Sequence, residues 1–318
     1  MILSHGDLPL EELEKYTGST PCPADFDIFW DKALDEMHAV VPEAELIPSD
    51  FITVPFAECF DLYFTGVGGA RIHAKYLRPR AHTRPHPAVL KFHGYAWNAG
   101  DWCDKLSYAA MGFCVAALDC RGQGGLSEDS GGVKGPTLRG HIIRGLEDSP
   151  EKMLFRQIYL DTAQLANIVM SFPEVDENRV CTAGESQGGA LALVCAALEP
   201  RIVKSAPVHP YLSDFKRYWH LDAQDELKEY FRFFDPLHER EDDIFTKLGY
   251  IDIQNLVKRI KGEVMFTTGL LDKVCPPSTQ FAAYNKIRSK KQLLLYHDYA
   301  HEFYPQLNDY IFKFICNI

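Results

Sequence analysis

Ser186 stands in Gly184-Glu185-Ser186-Gln187-Gly188, between the apolar run Val180-Cys181-Thr182-Ala183 and the small-residue stretch Gly189 to Leu198. Glycines two before and two after a serine describe a nucleophile elbow. It is a sharp strand-to-helix turn that lifts the hydroxyl clear of a sheet, where any Cβ at the flanking positions would collide. The chemistry such a serine serves is acyl transfer. A hydroxyl is a weak nucleophile at neutral pH, so it needs a base to take its proton and a carboxylate to orient that base. The backbone N–H after the serine, that of Gln187, points from the start of the following helix to where an oxyanion would form. A pattern with three fixed positions recurs by chance, so its surroundings carry weight. Glu174 to Asn178 reads as a polar turn into a short β-branched strand, and Ala190 to Leu198 as a small apolar helix suited to burial beneath a sheet.

In α/β-hydrolases the partners follow the serine in the order acid, then histidine. A strand over Glu263 to Thr267 runs into Leu270-Leu271-Asp272, which places Asp272 just past a strand's C-terminal edge. The strand Gln292 to Tyr296 runs into His297-Asp298-Tyr299-Ala300-His301-Glu302, which places His301 on a loop before the last helix. Asp272 is the favoured acid, with Asp298 and Glu302 as alternatives. His301 is favoured as base over His297, which sits almost in the strand. A zinc pair made of His297 and His301 would need a helix between them, and the loop context argues against it. The second oxyanion donor belongs on the loop after an earlier strand, where Lys91-Phe92-His93-Gly94-Tyr95 aims the Tyr95 N–H at the site.

These residues need a scaffold of alternating elements. Strands are expected at Ala88 to Phe92, Phe113 to Asp119, Arg179 to Ala183, Lys204 to Val208, Glu263 to Thr267 and Gln292 to Tyr296, several as continuous apolar runs typical of buried parallel strands. Helices are expected over Leu154 to Phe172, Ser278 to Lys286 and Glu302 to Ile315. An amphipathic helix within residues 21–39 carries Phe26, Trp30, Ala33 and Met37 on one face. Phe60 to Phe64 and Ala70 to Tyr76 flank Thr65-Gly66-Val67-Gly68-Gly69 as a hairpin. No helix follows that glycine cluster, so it is no dinucleotide loop. Arg121 to Lys152 reads as a long loop at the edge of the active site. Ser213 to Arg259 reads as a helical excursion over the sheet, its aromatics (Phe215, Tyr218, Trp219, Tyr230, Phe231, Phe233, Phe234) packing together or against a subunit in preference to walling a substrate.

A chain of 318 residues, 46% hydrophobic, can bury a large core, and residues 1–318 are read as one α/β domain. A formal charge of −11 and an isoelectric point near 5.5 argue against nucleic acid or an anionic membrane as partner. The start lacks a basic segment followed by an apolar core, so a cytoplasmic protein is expected. Nine cysteines without a Cys-x-x-Cys pair point to reduced thiols. Neither metal nor organic cofactor is called for.

His93-Gly94-Tyr95, Arg121-Gly122-Gln123-Gly124, Gly140-His141-Ile142-Ile143-Arg144-Gly145, Gly184 to Gly189, Asp272 and His301-Glu302 together resemble the acetyl xylan esterase and cephalosporin C deacetylase family of carbohydrate esterases, over nearly the whole chain. The resemblance implies an α/β-hydrolase fold with a mostly parallel central sheet, helices on both faces and an N-terminal helical extension. It implies Ser186 as nucleophile, His301 as general base, Asp272 as orienting acid and the Tyr95 and Gln187 amides as oxyanion hole. It further implies a cytoplasmic homohexamer that takes acetyl groups from small acetylated sugars, with cephalosporin C as an incidental substrate. Arg121 and Gln123 are expected to hold loop architecture more than substrate. Glu185 departs from the family's pattern, which has glycine in many members, and sets a carboxylate beside the nucleophile. The rivals are a carboxylesterase or peptidase of different acyl preference, a metallohydrolase, and a binding protein without chemistry.

Overall fold

A computed structural model describes residues 7–80, 84–134, 140–223 and 225–318. Residues 135–139 of the expected Arg121 to Lys152 loop and residue 224 of the expected excursion lie outside the described residues.

The strands are β1 (Glu45–Pro48), β2 (Ala57–Thr65), β3 (Arg71–Pro79), β4 (His86–Phe92), β5 (Cys114–Leu118), β6 (Val175–Glu185), β7 (Ile202–Val208), β8 (Glu263–Gly269) and β9 (Lys291–Tyr296). They form one nine-stranded sheet in the order β1-β2-β3-β5-β4-β6-β7-β8-β9. The β1–β2, β2–β3 and β3–β5 pairings are antiparallel, and every pairing from β5 across to β9 is parallel. This is the expected α/β-hydrolase arrangement. Its parallel strands bring their C-terminal ends to one edge, where α/β folds build their sites.

Burial explains the strands. β5 is buried at every residue, and Val180 to Ala183 of β6 are buried under the helix Gln187–Leu198. That helix is buried at every position, so it has no polar face to present to water. The helix Leu154–Ser171 packs beside it, and the N-terminal helix Phe26–His38 packs outside that. Phe26, Trp30, Ala33 and Met37 are buried as their spacing predicts; Trp30 stacks on Tyr159 and its indole N–H donates to the Tyr250 carbonyl at 2.9 Å.

Three elements differ from expectation. β6 begins at Val175, so Glu174 to Asn178 is mostly strand: Val175 pairs with His86, and the bend lies at Pro173 and Glu174. β1 is an added antiparallel edge strand, exposed at Glu45, Ile47 and Pro48 and without an alternating pattern to announce it. The last helix starts at Leu307 rather than Glu302. Pro305 disfavours helical geometry at Tyr304, and Gln306 adopts φ +61°, so residues 301–306 stay a loop. The excursion is helical at Phe215–His220, Asp225–Phe234, Glu241–Leu248 and Ile253–Leu256. Phe215, Tyr218, Tyr230 and Phe231 are buried within it, while Phe233 and Phe234 reach the surface. No described helix is long and apolar enough to cross a membrane.

Candidate active site

β4, β6, β7, β8 and β9 end side by side, and each delivers one polar element to the same place. Ser186 follows β6 at φ +58°, ψ −119°, a conformation that side chains rarely take. Its neighbours hold it there: its N–H donates to Val208 O at 3.0 Å, and its carbonyl accepts from Tyr211 N at 3.1 Å and Ala190 N at 3.1 Å. The flanking glycines are required by contact. A Cβ at Gly184 would strike the Gly188 carbonyl, and one at Gly188 the Phe92 carbonyl.

Asp272 lies past β8 with its side chain wholly buried. Its Oδ1 accepts from the N–H groups of Val274 and Cys275, both at 2.8 Å, which fixes the carboxylate's direction. Its Oδ2 lies 2.8 Å from His301 Nδ1 and also accepts from Gln280 Nε2 at 3.3 Å. A carboxylate only accepts here, so Nδ1 carries the proton and Nε2 is left as the basic nitrogen. Of the three carboxylates weighed from the sequence, Asp272 is the one bonded to His301. Asp298 and His297 sit on the exposed turn after β9, and Glu302 accepts from Ala300 N at 3.0 Å.

No hydrogen bond joins Ser186 to His301 in this structure. The Ser186 hydroxyl is turned to Cys275, whose thiol burial pushes well up, Asp272 pushing the same way and hydrogen bonds with Ser186 and Tyr218 opposing. Serine and base thus share one cluster through Cys275 and Asp272 without a direct hydrogen bond, as is common before substrate binds.

Tyr95 follows β4, and neither its N–H nor that of Gln187 is paired with an acceptor among the described residues. The loop is pinned from several sides. Gln123 Oε1 accepts from Ala96 N at 2.8 Å, and the amides of Gln123 and Gln187 bond each other at 2.8 and 3.1 Å. His93 Nδ1–H donates to Gly94 O at 2.7 Å, while Nε2 accepts from Cys120 N at 3.0 Å; burial lowers its pKa, in keeping with a neutral ring. Arg121, as expected for loop architecture, is buried against Asp161. Gln123 and the Gln187 side chain therefore tie the donor loop to the elbow.

Sequence reasoning missed Glu226, His209 and Tyr304. Glu226 comes from the excursion, accepts the Tyr95 hydroxyl and accepts from Ile142 N at 3.0 Å, while His141 N donates to Tyr95 Oη at 2.7 Å. Burial, then Glu226, pushes the Tyr95 phenol well up. Nothing in its helical surroundings marks Glu226. His209 had a signal: it directly follows β7 at the edge that carries Glu185 and Asp272. Because Tyr95 would act through its N–H, Tyr95→Phe should keep kcat/KM within about tenfold. It leaves His141 N–H and Glu226 without their shared partner, at about 1–3 kcal/mol of stability. Steady-state kinetics alongside thermal melts check both halves.

His209, Asp272 and His301 place candidate ligand atoms within 4.8 Å of one another, the one such group among the described residues. Both ring nitrogens of His209 are bonded, to Glu185 and Tyr304, and His301 Nδ1 is held by Asp272. A metal there would have to break those bonds. A cavity of about 530 Å³ opens beside Glu185 and is walled by Phe92, Gly94, Trp97, Phe303 and Tyr304; neither Ser186 nor His301 lines it.

Residues 3–318 match the family model described as acetyl xylan esterase (AXE1). The chain belongs to the acetyl xylan esterase family. Acetyl xylan esterase 1 from Thermoanaerobacterium sp. JW/SL YS485 is 60% identical and superimposes with a TM-score of 0.96 over 98% of each chain. The acetyl xylan esterase from Paenibacillus sp. R4 is 35% identical, with a TM-score of 0.93 over 97% of this chain and 99% of its own. Acetyl esterase Axe7A of Xylanibacter ruminicola is 28% identical over 292 residues, covering 90% of this chain. This chain spans 64% of the length of that relative.

Proposed function

We propose that this member of the acetyl xylan esterase family is a serine esterase that removes acetyl groups from acetylated xylo-oligosaccharides or related small acetylated sugars. The observation that carries this is the Asp272–His301 hydrogen bond beside a serine held at φ +58°. The relatives' acetyl xylan esterase names support the acyl group and leaving group. Ser186 Oγ attacks the acetyl carbonyl as His301 Nε2 takes its proton, and the Tyr95 and Gln187 amides receive the oxyanion. The C–O bond to the sugar breaks, His301 returns the proton to the leaving alcohol, and an acetyl-serine remains. Water, deprotonated by His301, attacks that ester; the bond to Ser186 Oγ breaks, His301 returns the proton to the serine, and acetate is released. Asp272 holds the Nδ1–H tautomer and stabilises the imidazolium in each half-reaction. The family resemblance extends the proposal to cephalosporin C as a side substrate, to a cytoplasmic setting and to a homohexamer, with residues 1–318 as one domain.

Acetyl, butyryl and octanoyl p-nitrophenyl esters, run beside acetylated xylo-oligosaccharides with acetate release measured, test the substrate class. kcat/KM should fall by about tenfold or more from acetyl to butyryl, the outcome expected of a site fitted to an acetyl methyl. Equal turnover of the octanoyl ester overturns the deacetylase reading.

A further inference from the structure

Glu185 sits one residue before the nucleophile, and its carboxylate faces inward to the His209 ring. We propose that Glu185, His209 and Tyr304 form a hydrogen-bonded chain that positions His301, with Glu185 as its outer anchor. This rests on His301 acting as the base in the proposed reaction.

The chain can be followed atom by atom. Tyr304 Oη donates to Ala300 O at 2.9 Å, in the residue just before His301. A hydroxyl has one proton, so the Tyr304 oxygen can only accept from His209 Nδ1, 3.1 Å away, and that nitrogen carries hydrogen. His209 Nε2 then lies 3.0 Å from Glu185 Oε1 with one proton between them. The His209 ring is wholly buried and lies against His301, centroids 4.1 Å apart at 43°. The base is therefore held at three points: Nδ1 by Asp272, one ring face by His209, and the preceding carbonyl by Tyr304.

The chain also links two loops of opposite function. Glu185 travels with the elbow and Ala300 with the base, so bonds through His209 set their separation. That separation is what the missing Ser186–His301 contact has to close during attack. The hydrogen bond from His209 holds Glu185 below its usual carboxylate range although burial opposes this, so the contact favours the carboxylate form. The other groups facing this chain are Asp272, Cys275 and Glu302, each of which raises the Tyr304 phenol after burial does. None of them bonds His209 in place of Glu185.

Glutamine can accept from a protonated His209 or donate to a neutral one, so Glu185→Gln preserves the chain while Glu185→Ala breaks it. Glu185 is exposed on its outer side, 63% for the side chain, so the alanine variant should fold. Since misplacement of a catalytic group by about 1 Å costs up to about 100-fold, Glu185→Ala is expected to lower kcat about tenfold on p-nitrophenyl acetate with KM within about twofold. Glu185→Gln should stay within about threefold of the parent. Tyr304→Phe should lower kcat similarly, and the double variant Glu185→Ala/Tyr304→Phe should fall no more than about threefold below the lower single, because both cut one chain. Unchanged kcat in Glu185→Ala, a glutamine variant as slow as the alanine one, a loss carried by KM, or fully multiplicative effects in the double variant each overturn the proposal. An active Ser186→Ala enzyme would instead remove the esterase reading beneath it; an inactive one beside a fully active Glu185→Ala removes the positioning role alone.

Discussion

Ser186→Ala is expected to lower kcat on p-nitrophenyl acetate by about three to six orders of magnitude while leaving the melting temperature within about a degree. Acyl transfer without the hydroxyl has no covalent route, and what survives is the smaller contribution of oxyanion donors and binding. Alanine keeps the Cβ and so keeps the backbone at φ +58°, ψ −119°, held by Val208, Tyr211 and Ala190. Glycine separates the two properties. Such a strained position costs about 1–3 kcal/mol, against about 0.5–1 kcal/mol for glycine's added unfolded-state freedom. Ser186→Gly should therefore be as inactive as Ser186→Ala and equally or more stable, read by urea denaturation. Near-normal turnover in either variant would remove Ser186 from the mechanism; marked destabilisation by glycine would show that the turn is not strained.

The strands that carry the site were legible because parallel strands covered on both faces are short apolar runs, and the residue just past each run is marked by its polarity. Asp272 and His301 were placed that way, and the structure bonds them. What the sequence could not display are partners joined only by tertiary structure. Tyr95 and Glu226 are 131 positions apart, and His209 and Tyr304 are 95 apart. A glutamate in the charged first turn of an amphipathic helix looks solvated until the fold lays it over the donor loop. Glu185 shows the same limit at short range: its presence beside Ser186 was plain, but its inward contact depends on β7 ending next to β6.

Element ends failed for local reasons. Glu302 to Ile315 carries enough apolar spacing to read as helix throughout, yet Pro305 and the Tyr304 bond to Ala300 hold its first turn open. That error matters, since the segment is the loop that carries His301. Arg121 and Gln123 were read as loop holders because glycine-flanked arginines anchor carbonyls. The structure adds that Gln123 bridges the donor loop and the elbow, which an isolated Arg-Gly-Gln cannot reveal.

Arg121→Met should produce the largest loss of stability among single changes near the site, about 3–5 kcal/mol, because it strips the partner from a buried charge. Arg121 bonds Asp161 through Nε at 2.7 Å and Nη2 at 2.6 Å, donates to Val67 O at 3.1 Å, and is only 2% exposed. Burial raises the Asp161 carboxyl above its ordinary value, the guanidinium opposing; without the guanidinium it rises further. From the unfolded value near ~3.9 up to that raised value, the native state binds more protons than the unfolded one, so stability falls as pH rises. The deficit of Arg121→Met relative to the parent should accordingly be smaller at pH 5 than at pH 8. Arg121→Met/Asp161→Leu removes both charges, and replacing a buried pair by apolar groups is often neutral or stabilising. The double variant should recover most of the loss in urea melts, while a loss equal to the single variant's would mean that the guanidinium's bond to Val67, not the ion pair, holds this loop. Its esterase activity should still fall, since the loop that Arg121 pins to Asp161 and Val67 carries Gln123, two residues on, which bonds Ala96 and Gln187.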